Sequence, residues 1–193
     1  MLLPRCLPAF RTQYPDVQLE LREDSTVGLA AMLRANEIDA GLVRGPLAEG
    51  TALESWVVER DDLILAVPAG HPLAGGGPVD LARARGESFV TYAPAKVPGL
   101  HGVTQALCRK AGFSPHISQE AIQVQTLVSL VASGMGLALV PGVTRAYSTP
   151  HVAFVALTDA EARNALSLSL VTHRGTSCAS VLRLRDSMLA QEA

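Results

Sequence analysis

An α/β fold built from two similar strand-and-helix clusters is what this sequence predicts, and three observations carry the expectation. Short apolar runs of strand length alternate with segments of helical periodicity. Gly and Pro break the pattern once, at "AGHPLAGGGP" (69–78). The pattern then starts afresh, so that clusters fall at 1–60 and 88–141, followed by a C-terminal segment that must pack against one of them. The two clusters share a pattern and not a repeated sequence.

The first cluster opens with a helix, "LLPRCLPAFRTQYP". Pro8, one turn beyond Pro4, cannot donate to that residue's carbonyl and is expected to kink the helix or delay its start. "VQLELRE" (17–23) alternates Val17, Leu19 and Leu21 with polar residues, the period of a half-buried strand. A helix is expected over 26–36. The apolar runs "IDAGLV" (38–43) and "LILAVP" (63–68) read as strands covered on both faces, joined in right-handed crossover units. With only two clear crossover strands before residue 60 and a helix at its start, the cluster lacks one strand, which is expected upstream.

In the second cluster, "SFVTYA" (88–93) predicts a strand and "GLHGVTQALCRKAG" (99–112) a helix stopped by Gly112. "HISQEA" (116–121) predicts another strand. "QVQTLVSLVASG" (123–134) has Val124, Leu127, Val128 and Val131 at helical spacing and Gly134 as its stop. "GLALVP" (136–141) reads as a third strand. Strands are also expected at 152–157 and 165–173, and a last helix over about 176–191.

The bulk numbers narrow the function. The 193 residues are 48% hydrophobic and 18% charged, enough to form a real core. No apolar run approaches the roughly eighteen residues that span a bilayer, no export signal is legible at the N-terminus, and the cysteine usage fits a reducing, cytoplasmic setting. Cys6, Cys108 and Cys178 are odd in number and far apart, offering neither a disulfide framework nor metal-ligand spacing. Lys and Arg total 16 against 18 Asp and Glu, without a basic run, so direct contact of this chain with DNA is not expected.

Catalytic and metal chemistry finds little support. The five histidines (71, 101, 116, 151, 173) place no two on one helical face, so no metal is expected. The G-x-G of "GMGLALVP" enters a strand instead of leaving one, the reverse of a dinucleotide site, and no G-x-S-x-G elbow is present. No cofactor is implied, and an enzyme is the less favoured class. Helix starts are more informative: "DST" before helix 26–36 and "QVQT" at 123–126 follow strands and offer free N–H groups beside hydroxyl or amide side chains, a setting that suits a small anion. For Ser25 or Thr26 the simpler role is an N-cap contributing about 1 kcal/mol. In a doubly wound fold, however, such helix starts collect at the carboxyl ends of strands, where ligands bind.

Five phrases in order, "LLPRCLPAFRTQYPDVQLELRE", "LRANEIDAGLVRGP", "LILAVPAGHPLA", "LCRKAGFSPHISQEA" and "VQTLVSLVASGMGLALVP", resemble the effector-binding domain of the LysR-type transcriptional regulators, especially the branch sensing aromatic carboxylates such as benzoate and muconate. The resemblance implies a periplasmic-binding-protein-like (type II) fold of two Rossmann-like subdomains joined by two crossing strands, near 61–68 and 163–168. It divides the chain into a discontinuous subdomain I (1–60 and 165–193) and subdomain II (61–164), moving strand 152–157 into the latter. By the same carry-over Thr26, at a helix start beside Ser25, and Arg44, after the next strand, would contact an effector in the inter-subdomain cleft. Leu100 and His101 would form one wall, Val124 and Gln125 the opposite helix mouth, and Leu166 an apolar floor.

Two departures stand beside it. The family's opening strand, of the type "LRIGF", and the serine after it are missing from this sequence, and Glu59 stands where some relatives carry an arginine of a second effector pocket. The resemblance therefore implies a fragment of a longer regulator with a winged helix-turn-helix upstream, acting without enzymatic chemistry on a small carboxylate effector. It also implies a homodimer or tetramer in which helix 1 and strand 17–23 meet helix 123–134 of a second copy. A free-standing solute-binding protein of a transporter, and less favourably an enzyme on the same fold, are the alternatives.

Overall fold

The structure is a computed structural model, and it describes residues 2–44, 52–147 and 149–190. The chain forms two compact units, Met1–Arg60 with Ser167–Ala193, and Asp61–Leu166.

The first unit begins with α1 (Leu3–Gln13), which buries Cys6 and Phe10. Pro8 neither stops this helix nor delays its start. It lies on the exposed face, as does Pro4, so the Pro4 carbonyl that loses its donor faces water. Next come α2 (Thr26–Arg34), β1 (Ala40–Arg44) and β2 (Leu53–Asp61). The unit is completed, after the second unit's residues, by β8 (Leu166–His173) and α5 (Ala179–Leu189). β8 is the central strand of a three-stranded sheet ordered β1-β8-β2, and it runs antiparallel to β1 with Leu42 opposite Leu170.

Period-two alternation in β1 divides the core of this unit. Val43 packs with Ala30 and Leu33 of α2 and with Leu53 and Val171. Ala40 and Leu42 pack instead with Leu2, Cys6, Val58, Leu170 and Met188, the side of α1 and α5. These two helices also meet where the Arg183 guanidinium of α5 lies 5.0 Å from the centre of the ring of Tyr14, the residue that ends α1.

One expectation for this unit needs correction, and one strand was missed. Residues 17–23 keep part of their in–out alternation, with Val17 and Leu19 half-buried, but they join no ladder among the described residues, and Leu21 is 72% exposed. Alternation records which face a residue would turn inward and cannot supply the neighbour whose N–H and C=O groups make a strand. Conversely, β2 was not legible, because "LESWVVERD" groups Trp56, Val57 and Val58 together and carries four charges, obscuring any period.

The second unit holds β3 (Leu63–Pro68), β4 (Ser88–Tyr92), α3 (Pro98–Lys110), β5 (His116–Ala121), α4 (Val124–Ala132), β6 (Ala138–Pro141) and β7 (Val152–Ala156). Two short 3-10 turns, Pro72–Gly75 and Leu81–Ala84, lie within the Gly- and Pro-rich connection, and a third, Gly142–Tyr147, follows β6. β4 and β5 pair in parallel, as a crossover unit demands. β3, however, is antiparallel to both β6 and β7. A continuous apolar run such as "LILAV" reports burial on both faces, here 0–1% exposure from Leu63 to Val67, and says nothing of strand direction. A single large core contains these strands together with Leu107, Leu127 and Val131 from the helices. Gly134 stops α4 at φ +75°, in the left-handed conformation expected of a helix-ending glycine.

Candidate functional site

In the second unit the topology gathers candidate residues at one place. β4 and β5 are parallel neighbours, with Tyr92 opposite Ala121, and the Ala93 N–H donates to Ala121 O at 2.9 Å. Both strands therefore end side by side, and each is followed by a helix, α3 after β4 and α4 after β5. Leu100 and His101 lie in the first turn of α3; Val124 and Gln125 are the first two residues of α4.

His101 ties its helix to the strand before it, since Nδ1 lies 2.8 Å from Tyr92 O. A carbonyl only accepts, so Nδ1 carries a proton in this bond. The ring is half-buried, while Leu100 is 6% exposed and belongs to the core. Val124 is half-buried and Gln125 exposed. The residue before them, Gln123, has extended backbone (φ −96°, ψ 140°) and its side chain does not cap α4. The first-turn N–H groups of α4 are thus left without a side-chain cap, the condition in which a helix start can take an anionic ligand.

Leu166 is 1% exposed and packed into the core of this unit. Its burial has an ordinary structural explanation, and the surface beside it is set by its neighbours.

In the first unit, Ser25 is the N-cap of α2, its Oγ accepting from the Gly28 N–H at 3.1 Å. Asp24, which the sequence offered only as part of "DST", takes part as well. Its Oδ1 accepts from the Ser25 N–H at 2.6 Å and from the Ser25 hydroxyl at 3.2 Å. An acidic side chain thus already lies at the positive end of this helix. The signal that could have found it is the glycine four residues on, which leaves room for it. Thr26, the first residue of the helix, is half-buried, and its hydroxyl has no hydrogen-bond partner among the described residues. Arg44 ends β1, opposite Leu168 of β8, and shares by alternation the face of Leu42.

Among the described residues no group of three or more His, Cys, Asp and Glu is placed to hold a metal ion, and no helix is long and apolar enough to cross a membrane. The helix starts of the second unit present backbone donors, an imidazole and the apolar side chain of Val124; that of the first presents hydroxyls beside a carboxylate.

Parallel strands that deliver two helix starts to one end are an arrangement at which α/β domains commonly bind small molecules. The chain belongs to the LysR substrate binding domain family, whose match covers residues 1–192. It is 34% identical to the transcriptional regulator AlsR of Bacillus subtilis over 139 residues, covering 72% of this chain and 46% of that protein. It is 29% identical to the regulator CatR of Pseudomonas putida over 192 residues, covering 100% of this chain and 64% of CatR. Among solved structures, the BenM effector binding domain with its effector benzoate is similar with a TM-score of 0.83 at 25% identity, over 99% of this chain and 86% of that one. CbnR, a LysR family transcriptional regulator, shares the fold with a TM-score of 0.84 at 20% identity, over 99% of this chain and 65% of CbnR. The chain spans roughly half to two thirds of the length of these regulators, 46% of AlsR and 64% of CatR.

Proposed function

We propose that this chain is the effector-sensing part of a cytoplasmic LysR-type transcriptional regulator, and that its effector is a small carboxylate with an apolar body. The observation that carries the reading is the pairing of helix starts at the ends of β4 and β5: an uncapped α4 beside a histidine fixed by Tyr92 O. Uncapped N–H groups suit the carboxylate, and Val124 with the edge of Leu100 suits the apolar body. Benzoate, named as the effector of BenM, has that chemistry. The start of α2 with Thr26, and Arg44, are proposed as further contacts.

No bond is made or broken in this reading. The effector favours whichever arrangement of the protein it binds more tightly, and it can shift the balance only by that difference in affinity. DNA is contacted through a winged helix-turn-helix outside these residues, in keeping with 16 basic against 18 acidic residues here. Assembly is as a homodimer or tetramer.

The test is an amide-resolved NMR titration with benzoate and with cis,cis-muconate, using benzamide as the uncharged comparison. Saturable shifts at Val124, Gln125 and His101 with the acids, and not with benzamide, are expected. Shifts of equal size with all three compounds would refute a carboxylate-sensing site.

A further inference from the structure

The second unit contains a hollow of about 320 Å³, well away in sequence from the helix starts just described. Its lining comes from Asp62 and the start of β3, from Arg145, and from the segment between the end of β7 and Arg163, Thr158 included. The volume lies at the lower end of the roughly 300–1,000 Å³ usual for small-molecule sites.

The frame around it is tied by hydrogen bonds. Val79 N–H donates to Ala156 O and Thr158 N–H to Val79 O, both at 2.9 Å. Asn164 N–H donates to Asp62 Oδ1 at 2.7 Å, and Gly142 N–H to Asp62 O at 2.8 Å. Ile64 and Ala156 face each other in the β3–β7 ladder. The hollow therefore belongs to the folded unit and not to a loose loop.

Its chemistry is mixed in a particular way. Arg145 and Arg163 both line the hollow, and neither has an ion-pair partner among the described residues. Asp62 brings one carboxylate, of which one oxygen is taken by Asn164 N–H and the other has no partner among the described residues. Two positive charges and one negative leave a lining of net charge +1. The Thr158 hydroxyl adds a donor and acceptor, and Ile64, Ala156, Leu157 and Ala162 supply apolar surface.

We infer that this hollow is a second ligand site, for a small monocarboxylate that also carries a hydroxyl or amino group on a short apolar body. The carboxylate neutralises the excess charge and takes charge-assisted hydrogen bonds from the two guanidiniums. The hydroxyl or amino group donates to the open oxygen of Asp62, which would otherwise repel a plain acid. This site differs from the proposed effector site in its donors, which are arginine side chains instead of helix-start amides, and it stands whether or not that reading holds.

Mandelate and phenylacetate, which differ by the α-hydroxyl, are the probes, read by amide shifts of the 193-residue chain. Mandelate is expected to shift Leu63, Leu157 and Thr158 saturably, and phenylacetate to bind there about tenfold more weakly, as losing one hydrogen bond to a charged group implies. Arg145→Gln and Arg163→Gln are each expected to weaken mandelate by about tenfold or more. Both arginines are exposed, so these variants keep the fold, which unchanged shifts around α3 will register. Absence of saturable shifts at the three amides, persistence of binding in both variants, or equal binding of the two acids would each overturn the assignment.

Discussion

The carboxylate of Asp24 occupies the space that a Cβ at residue 28 would need, so Gly28 is what allows an aspartate to fold back over the first turn of α2. Replacing a helical glycine by alanine ordinarily stabilises by roughly 0.5–1 kcal/mol. Here the new methyl group must push the carboxylate off the Ser25 N–H and hydroxyl. Gly28→Ala is therefore expected to give the full gain in an Asp24→Ala background and less than about half of it in the parent chain, as measured by urea unfolding. Equal gains in both backgrounds would show that the two residues do not compete for this space.

The same relationship bears on the effector. Asp24 screens the start of α2, so Asp24→Ala is expected to tighten binding of a carboxylate there by about 0.3–1 kcal/mol. Thr26→Val and Arg44→Met are expected to weaken it by about 1–3 kcal/mol each. Calorimetry with benzoate gives all three values. If Thr26→Val and Arg44→Met both bind as the parent does, neither residue is an effector contact.

His101 serves the fold as well as the proposed site. His101→Ala removes the donor to Tyr92 O, and an unfolding loss of about 1–2 kcal/mol is expected. An unaltered melting temperature would mean that this bond contributes nothing net to the folded state.

Gly136 and Gly134 make a controlled pair, since both have positive φ, at +149° and +75°. A Cβ at 136 would come within 2.6 Å of the Ser88 backbone oxygen, whereas at 134 nothing lies within 4 Å. Gly136→Ala is therefore expected to cost clearly more than Gly134→Ala, for which backbone strain alone predicts about 1–2 kcal/mol. Denaturant midpoints of the two variants decide the order.

The three cysteines should separate by reactivity. Cys6 and Cys108 are buried, and burial pushes both thiols up, Cys108 to about 11, so that little thiolate exists near neutral pH. Cys178 is exposed. One fast equivalent with a disulfide reagent at neutral pH in the folded protein, rising to three after unfolding, is the expected count. Rapid modification of Cys108 in the native state would contradict its burial.

Much of the architecture was legible before the structure, because period and punctuation are local. The strands of the second unit and the helices at 98–110 and 124–132 lie where apolar spacing, prolines and helix-ending glycines put them. The helix-start residues Ser25, Thr26, Val124 and Gln125 could be singled out for the same reason, whereas Leu100 and His101 came only from the family resemblance. Their partners could not be, because the bond from His101 to Tyr92 O and the fold-back of Asp24 over Gly28 depend on side-chain directions that no spacing states.

By itself, then, the sequence determined which segments coil, which extend and which residues open the helices, since each of these follows from neighbours a few positions apart. Only the tertiary structure decided that 17–23 joins no ladder among the described residues, that β3 runs against both of its neighbours, and that Arg145, Arg163 and Asp62 share one hollow. Those outcomes depend on pairings between residues many positions apart, and hydrogen-bond partners at that distance leave no trace in local pattern.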